Sequence, residues 1–238
     1  MISDCITGIF GKLPAHGDFI QRNLPSDFVS VWDEWLQHYI AGSQEQIGEN
    51  WLDIYLTSPI WRFMLSDGAA DSSSWVGIML PSVDKIGRYF PLSIVTQIPP
   101  HLSALEFLLS NNNWLINIEE LAIQALDGDL TADDLIEEIS KIAIIHNTTY
   151  MKQNALENSD PVVINMDFEE QAPTSVSDYL LDAILLKSVS SYSAWTTQGS
   201  EHVSPGLFLT RGLPPINGIA GMLNGQWRWQ QPYQIVAM

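Results

Sequence analysis

The 238-residue sequence predicts one α/β domain spanning residues 1–238, with a mixed or mostly antiparallel central sheet of about six strands covered by helices on both faces. Three observations carry this expectation. Short apolar runs bounded by Gly, Pro, Ser or Asp recur along the chain. Longer segments between them place apolar residues at helical spacing. No repeat, long linker or low-complexity tract divides them.

Taken in order, Ile6 to Phe10 is short, apolar and followed by a turn-rich run, which predicts a buried strand. Ser26 after Pro25 offers an N-cap to a helix whose apolar face is Phe28, Val31, Trp32, Trp35, Leu36 and Tyr39, with Asp33, Glu34 and Gln37 on the wet side; Gly42 and Ser43 are expected to end it. A shorter helix is expected from Asn50 to Leu56, stopping before Pro59. Trp75 to Leu80 and Tyr89 to Ile98 read as adjacent strands joined by a structured connection over Pro81 to Arg88. Ser103 with Glu106 has capping-box spacing and opens a helix. The pattern breaks around Asn111 to Asn113 and resumes from Trp114 to Leu126. Thr131 is expected to cap a helix with Leu135, Ile139 and Ile142 inward and Glu137, Glu138 and Lys141 outward. Pro161 to Met166 reads as a strand, Ser175 as the cap of a helix through Lys187, and Tyr192–Thr197 and Leu207–Thr210 as late strands. Pro214 and Pro215 suit the first turn of a short helix ending near Gly225, and Trp227 to Trp229 suggests an edge strand or packed extension.

Composition excludes several functions. The formal net charge is −18 and the pI is near 4.3, so nucleic acid and anionic membranes, which need basic footprints, are not expected partners. A single cysteine, Cys5, rules out an internal disulfide or a cysteine-rich zinc site and reads as a small buried apolar residue. No basic stretch followed by an apolar run marks the start, and no apolar run reaches the ~18 residues of a membrane span, so a soluble cytoplasmic protein is expected. The charge is uneven. Residues 1–98 carry 11 acids and 5 bases, residues 99–210 carry 17 and 3, and residues 211–238 carry two arginines and no acid. Cations so scarce and so clustered (Lys12, Arg22, Arg62, Lys85, Arg88) are expected to pair with specific partners or to form one local surface.

Candidate chemistry is sparse. His16 and Asp18, two residues apart, have the composition of a metal pair or of a base with its orienter, but His38, His101, His146 and His202 stand alone and no third ligand is spaced to join them. A turn held by Asp18 accepting backbone N–H bonds is the expected role. Ser82 follows a strand and lies beside Asp84, Lys85 and Arg88, a position from which a serine nucleophile could act, although GxSxG is absent; the alternative is that Ser82 and Asp84 bond their own turn. Gly8, Gly11 and Gly17 around Lys12 fit neither a phosphate loop nor a dinucleotide fingerprint. Trp32 and Trp35 are expected in the core, and Trp61 beside Arg62 is a candidate cation–π pair.

Four stretches together carry a resemblance: Gly8 to Phe19 (GIFGKLPAHGDF), Trp32 to Gln37 (WDEWLQ), Ser58 to Phe63 (SPIWRF) and Gly77 to Leu92 (GIMLPSVDKIGRYFPL). In that order and spacing the chain resembles the TagF family of type VI secretion-associated proteins, also called ImpM. The likeness is close over residues 6–98, weaker at Ser193 to Thr197, and carries little signal over 99–190. His16 departs from the pattern, in which arginine is common. The resemblance implies a cytoplasmic accessory protein that represses the secretion apparatus after translation by binding its forkhead-associated scaffold protein, with no cofactor, no metal and no catalytic residue to carry over. On that reading the partner-binding or loop-organising set is Lys12, His16, Asp18, Arg62, Ser82, Asp84, Lys85 and Arg88, with Asp18 or Asp84 pairing to Arg62 or Arg88 as the alternative for those four. The competing expectation is a hydrolase centred on Ser82 with Asp84, or on His16 with Asp18.

Overall fold

The computed structural model describes residues 5–144 and 174–228. Seven strands form one antiparallel sheet in the order β2-β1-β5-β4-β3-β6-β7, with β1 at Thr7–Gly11, β2 at Ile20–Arg22, β3 at Trp61–Leu65, β4 at Ser74–Leu80, β5 at Leu92–Ile98, β6 at Tyr192–Thr197 and β7 at Gly206–Arg211. Every pairing is antiparallel, including the central β4–β5 ladder, in which Leu80 faces Leu92 and Ser74 faces Ile98. Among the described residues the sheet has seven strands, in keeping with the expectation of about six. The additions are β2, only three residues long, and β3, whose apolar run is interrupted by the charge of Arg62. The expected strand at Pro161 to Met166 lies outside the described residues.

Helices cover both faces, as expected. On one face α3 (Ala104–Ser110), α4 (Asn112–Leu126), α5 (Ala132–Lys141) and α6 (Thr174–Val189) close over a largely aliphatic core containing Ile9, Met64, Ile78, Ile94, Leu105, Leu115, Ile118 and Leu135. On the other, α1 (Ser26–Ile47), α2 (Trp51–Leu56) and α7 (Gly221–Asn224) close over an aromatic core. Its centre is a run of stacked and tilted rings, in which Trp32 lies 4.8 Å from Phe63 and Phe63 lies 4.8 Å from Trp195, centroid to centroid. Alternation along the strands sorts the residues: Phe63 and Trp195 point to the aromatic side, Arg62, Met64 and Ala194 to the aliphatic side.

Local signals hold with identifiable exceptions. The expected stripe of α1 is buried except at Val31, but Pro25 rather than Ser26 occupies the N-cap position, without a side-chain cap. The helix also runs past Gly42 and Ser43 to Ile47, and Gly48 stops it with φ 76°. Gly42 is there for contact: a Cβ would lie 2.5 Å from Ile216 Cγ2. Thr131 caps α5 in a capping box with Asp134. Ser103 Oγ accepts from the Glu106 N–H at the start of α3. Pro214 and Pro215 do not open a helix; α7 begins at Gly221 and ends, as expected, at left-handed Gly225. The Trp61–Arg62 stack does not form, because neighbours on a strand face opposite sides: Trp61 joins the aromatic core and Arg62 faces α4.

Candidate functional site

Antiparallel pairing of β1 with β5 and of β5 with β4 carries the β1–β2 connection, Lys12 to Phe19, and the β4–β5 connection, Pro81 to Pro91, to the same end of the sheet. Gly11, with φ 133°, lets the first connection leave tightly against the second: a Cβ there would lie 2.0 Å from the Pro91 carbonyl oxygen. Lys12, His16, Asp18, Ser82, Asp84, Lys85 and Arg88 all belong to these two connections.

Asp84 organises them. Its Oδ2 accepts from Lys12 Nζ at 2.6 Å and from Arg88 Nε at 2.6 Å; its Oδ1 accepts from the Ile86 and Arg88 N–H groups at 3.1 and 2.9 Å. Its backbone closes the turn as well, donating to the Arg88 carbonyl and accepting from the Gly87 N–H. Burial alone would raise the Asp84 carboxyl, but the Lys12 ammonium, the Arg88 main chain and guanidinium and the Ile86 N–H outweigh it and hold it well below the usual carboxylate range. Lys12, itself buried, also lies 4.8 Å from the Phe19 ring centroid in a cation–π contact.

Ser82 is buried and fully occupied. Its Oγ donates to the Lys12 carbonyl at 2.6 Å, its N–H donates to Tyr55 Oη at 3.0 Å, and its carbonyl accepts from the Tyr55 hydroxyl at 3.1 Å. Burial raises the Tyr55 phenol far above its ordinary value, so it stays a neutral donor. His16 serves a different element: its Nε2 accepts from the Ala132 N–H at 2.9 Å, at the first turn of α5, while its carbonyl accepts from the Lys85 N–H. Asp18 is exposed and does not hold the turn as expected; Arg88 donates to the Gly17 carbonyl and approaches Asp18 Oδ1 only to 3.4 Å.

Arg62 is not part of this group. Its guanidinium forks onto Glu119 of α4 (Nε–Oε1 2.6 Å, Nη2–Oε2 2.7 Å) and donates from Nη1 to Asn112 Oδ1 at 2.6 Å. Of the alternative acid–base pairings, the strong one is Asp84 with Arg88, extended by Lys12.

No hydrogen bond joins the side chains of Ser82, His16 and Asp84 among the described residues, and each is committed elsewhere. No group of three or more potential metal ligands occurs among them either. What the end of the sheet does present is a fixed loop whose tip, Lys85, Ile86 and Gly87, faces solvent, with Arg88 half exposed beside it. Lys85 makes no ion pair among the described residues. The residues that reading the sequence passed over are Tyr55, Phe19, Ile86, Glu119 and Asn112. Phe19 and Ile86 sit inside the motif stretches, but side-chain type alone does not separate a packed apolar residue from a displayed one.

Residues 8–142 match the TagF N-terminal domain, described as type VI secretion system-associated. The fold is similar to the crystal structure of PA0076 from Pseudomonas aeruginosa PAO1, with a TM-score of 0.78 and 28% sequence identity over 97% of this chain and 100% of that one. No curated protein matches the chain. The family match contains both connections and also β3, α4 and α5, so every candidate residue falls within it.

Proposed function

Because the chain belongs to the TagF family of type VI secretion system-associated proteins, we propose that it is a non-enzymatic accessory protein of the cytoplasm that represses the secretion apparatus after translation by binding its forkhead-associated scaffold protein. The observation that carries this reading is the division of labour at the end of the sheet. Groups with catalytic potential are consumed in holding the loop, while Lys85 and Arg88 are turned outward from a chain of net charge −18. A rigid loop presenting cations on an acidic protein suits recognition of an acidic partner surface. A hydrolase centred on Ser82 or on His16 and Asp18 has no nucleophile–base contact in its favour among the described residues, and Asp84, held strongly acidic, is a poor general base.

The test is recovery of the forkhead-associated protein by the wild type, Lys85→Glu and Arg88→Glu, with folding checked by circular dichroism because Arg88 also supports Asp84. The charge-reversed variants are expected to lose most of the recovered scaffold. Equal recovery by folded variants would overturn this surface.

A further inference from the structure

The loop that Asp84 fixes does not only expose cations. Ile86 at its tip is 68% exposed, the most exposed large apolar side chain among the described residues, and Phe19 on the neighbouring connection is 51% exposed. An exposed isoleucine on a loose loop needs no explanation. Ile86 is on a loop with little freedom left: its own N–H is bound to Asp84 Oδ1, Gly87 and Arg88 bond back to Asp84, the Lys85 N–H is bound to the His16 carbonyl, and Val83 bridges Tyr89. Gly87, with φ 86°, supplies the left-handed residue that this tight turn needs. Phe19 is likewise held, edge-on to Phe90 at 4.8 Å between centroids.

We infer that Ile86 is an apolar anchor that inserts into a socket on the partner, and that the socket is rimmed by carboxylates. The inference rests on the reading of this end as a binding surface, not on which protein binds there. Preorganisation supports it, because an anchor already fixed in its bound conformation loses little entropy on docking. Charge supports the rim: Lys85, which makes no ion pair among the described residues, and half-exposed Arg88 flank Ile86, and an apolar centre with a polar border is the usual anatomy of a hot spot. A second copy of this chain is disfavoured as the occupant, since each copy brings a net charge of −18.

The experiment is calorimetric titration of the purified forkhead-associated protein with the wild type, Ile86→Ser, Ile86→Leu and Lys85→Glu. Ile86→Ser is expected to weaken binding at least about tenfold without changing the melting temperature, and Ile86→Leu by less than about threefold. Binding should weaken with salt, less steeply in Lys85→Glu. Wild-type affinity in Ile86→Ser would overturn the inference while leaving the scaffold as partner. No binding by the wild type would instead overturn the choice of scaffold. Position 86 is then tested by a photo-reactive benzophenone side chain placed there in cells assembling the apparatus. A cross-link to an apparatus component, mapping to apolar residues beside Asp or Glu and lost in Lys85→Glu, supports the anchor. No cross-link, one to a second copy of this chain, or one to a peptide without acids overturns it.

Discussion

Asp84 shows how one side chain can set a surface. Its partner Lys12 lies 72 residues earlier, and both side chains of the pair are shielded from water. Asp84→Asn keeps the shape and removes the charge, leaving the Lys12 ammonium buried without a counter-ion. The expected loss is about 3 kcal/mol, the lower end of what breaking a buried pair costs, measured by urea unfolding at pH 7. The pH dependence has a definite sign. The folded carboxyl is depressed, so between its value and the unfolded Asp value of about 3.9 the unfolded chain binds the extra proton, and stability rises with pH there. The stabilisation is therefore complete above the ordinary Asp range and lost as pH falls toward the depressed folded value. The gap between wild type and Asp84→Asn should be constant from pH 6 to pH 8 and narrow below about pH 4. A gap that persists unchanged in acid would mean that shape, not charge, is what Asn fails to supply.

Between elements, the contact to test is the fork from Arg62 of β3 to Glu119 of α4. It ties the sheet to the aliphatic-side helices through a guanidinium enclosed in a strand buried at every position. Arg62→Met fills similar space with an apolar chain, but strands Glu119 and Asn112; Glu119 is near enough to the surface to regain water, so the expected loss is about 2 kcal/mol. In a cycle with Glu119→Gln, urea unfolding should show a coupling of about 1 kcal/mol or more. Additive losses would mean that Arg62 acts through packing. The same arginine explains why β3 was illegible in the sequence: a charge in the middle of an apolar run argues against a buried strand, and only the fork from α4 makes it tolerable. Helix α1 was legible because its stripe repeats over three turns, and β4 and β5 because apolar runs flank a turn-rich link. Their closeness requires Gly77, where a Cβ would lie 2.1 Å from the Ile94 carbonyl oxygen, a demand no local pattern announces. The two connections were legible, since Gly and Pro mark both, but that Arg62 lies apart from them was not. Nor were the pairings within the site. Asp84 choosing Lys12, and His16 choosing the first turn of α5, follow from sheet order, which periodicity does not encode.

For the whole molecule, the distribution of charge matters more than its total. Exposed pairs such as Arg22–Asp133 and Lys141–Glu138 join flexible side chains in water and contribute little, while the excess of carboxylates repels itself wherever the chain is compact. The Lys12–Asp84–Arg88 cluster is different: the Asp84 side chain has no solvent exposure, so dissolved ions reach it poorly. Salt should therefore act mainly on the repulsion. Raising ionic strength from about 0.01 M to about 0.15 M shortens the screening length from about 30 Å to about 8 Å, and relief of self-repulsion should raise the melting temperature by about 2–4 °C, read from tryptophan fluorescence, to which the ring cluster between Trp32 and Trp195 reports. A fall in melting temperature would mean that the exposed ion pairs outweigh the repulsion. Over the same range the affinity of the cationic loop for an acidic partner should fall. Stability and binding thus move in opposite directions with salt, because the self-repulsion comes from acids spread over the chain while the outward-facing cations of the loop sit at one end of the sheet.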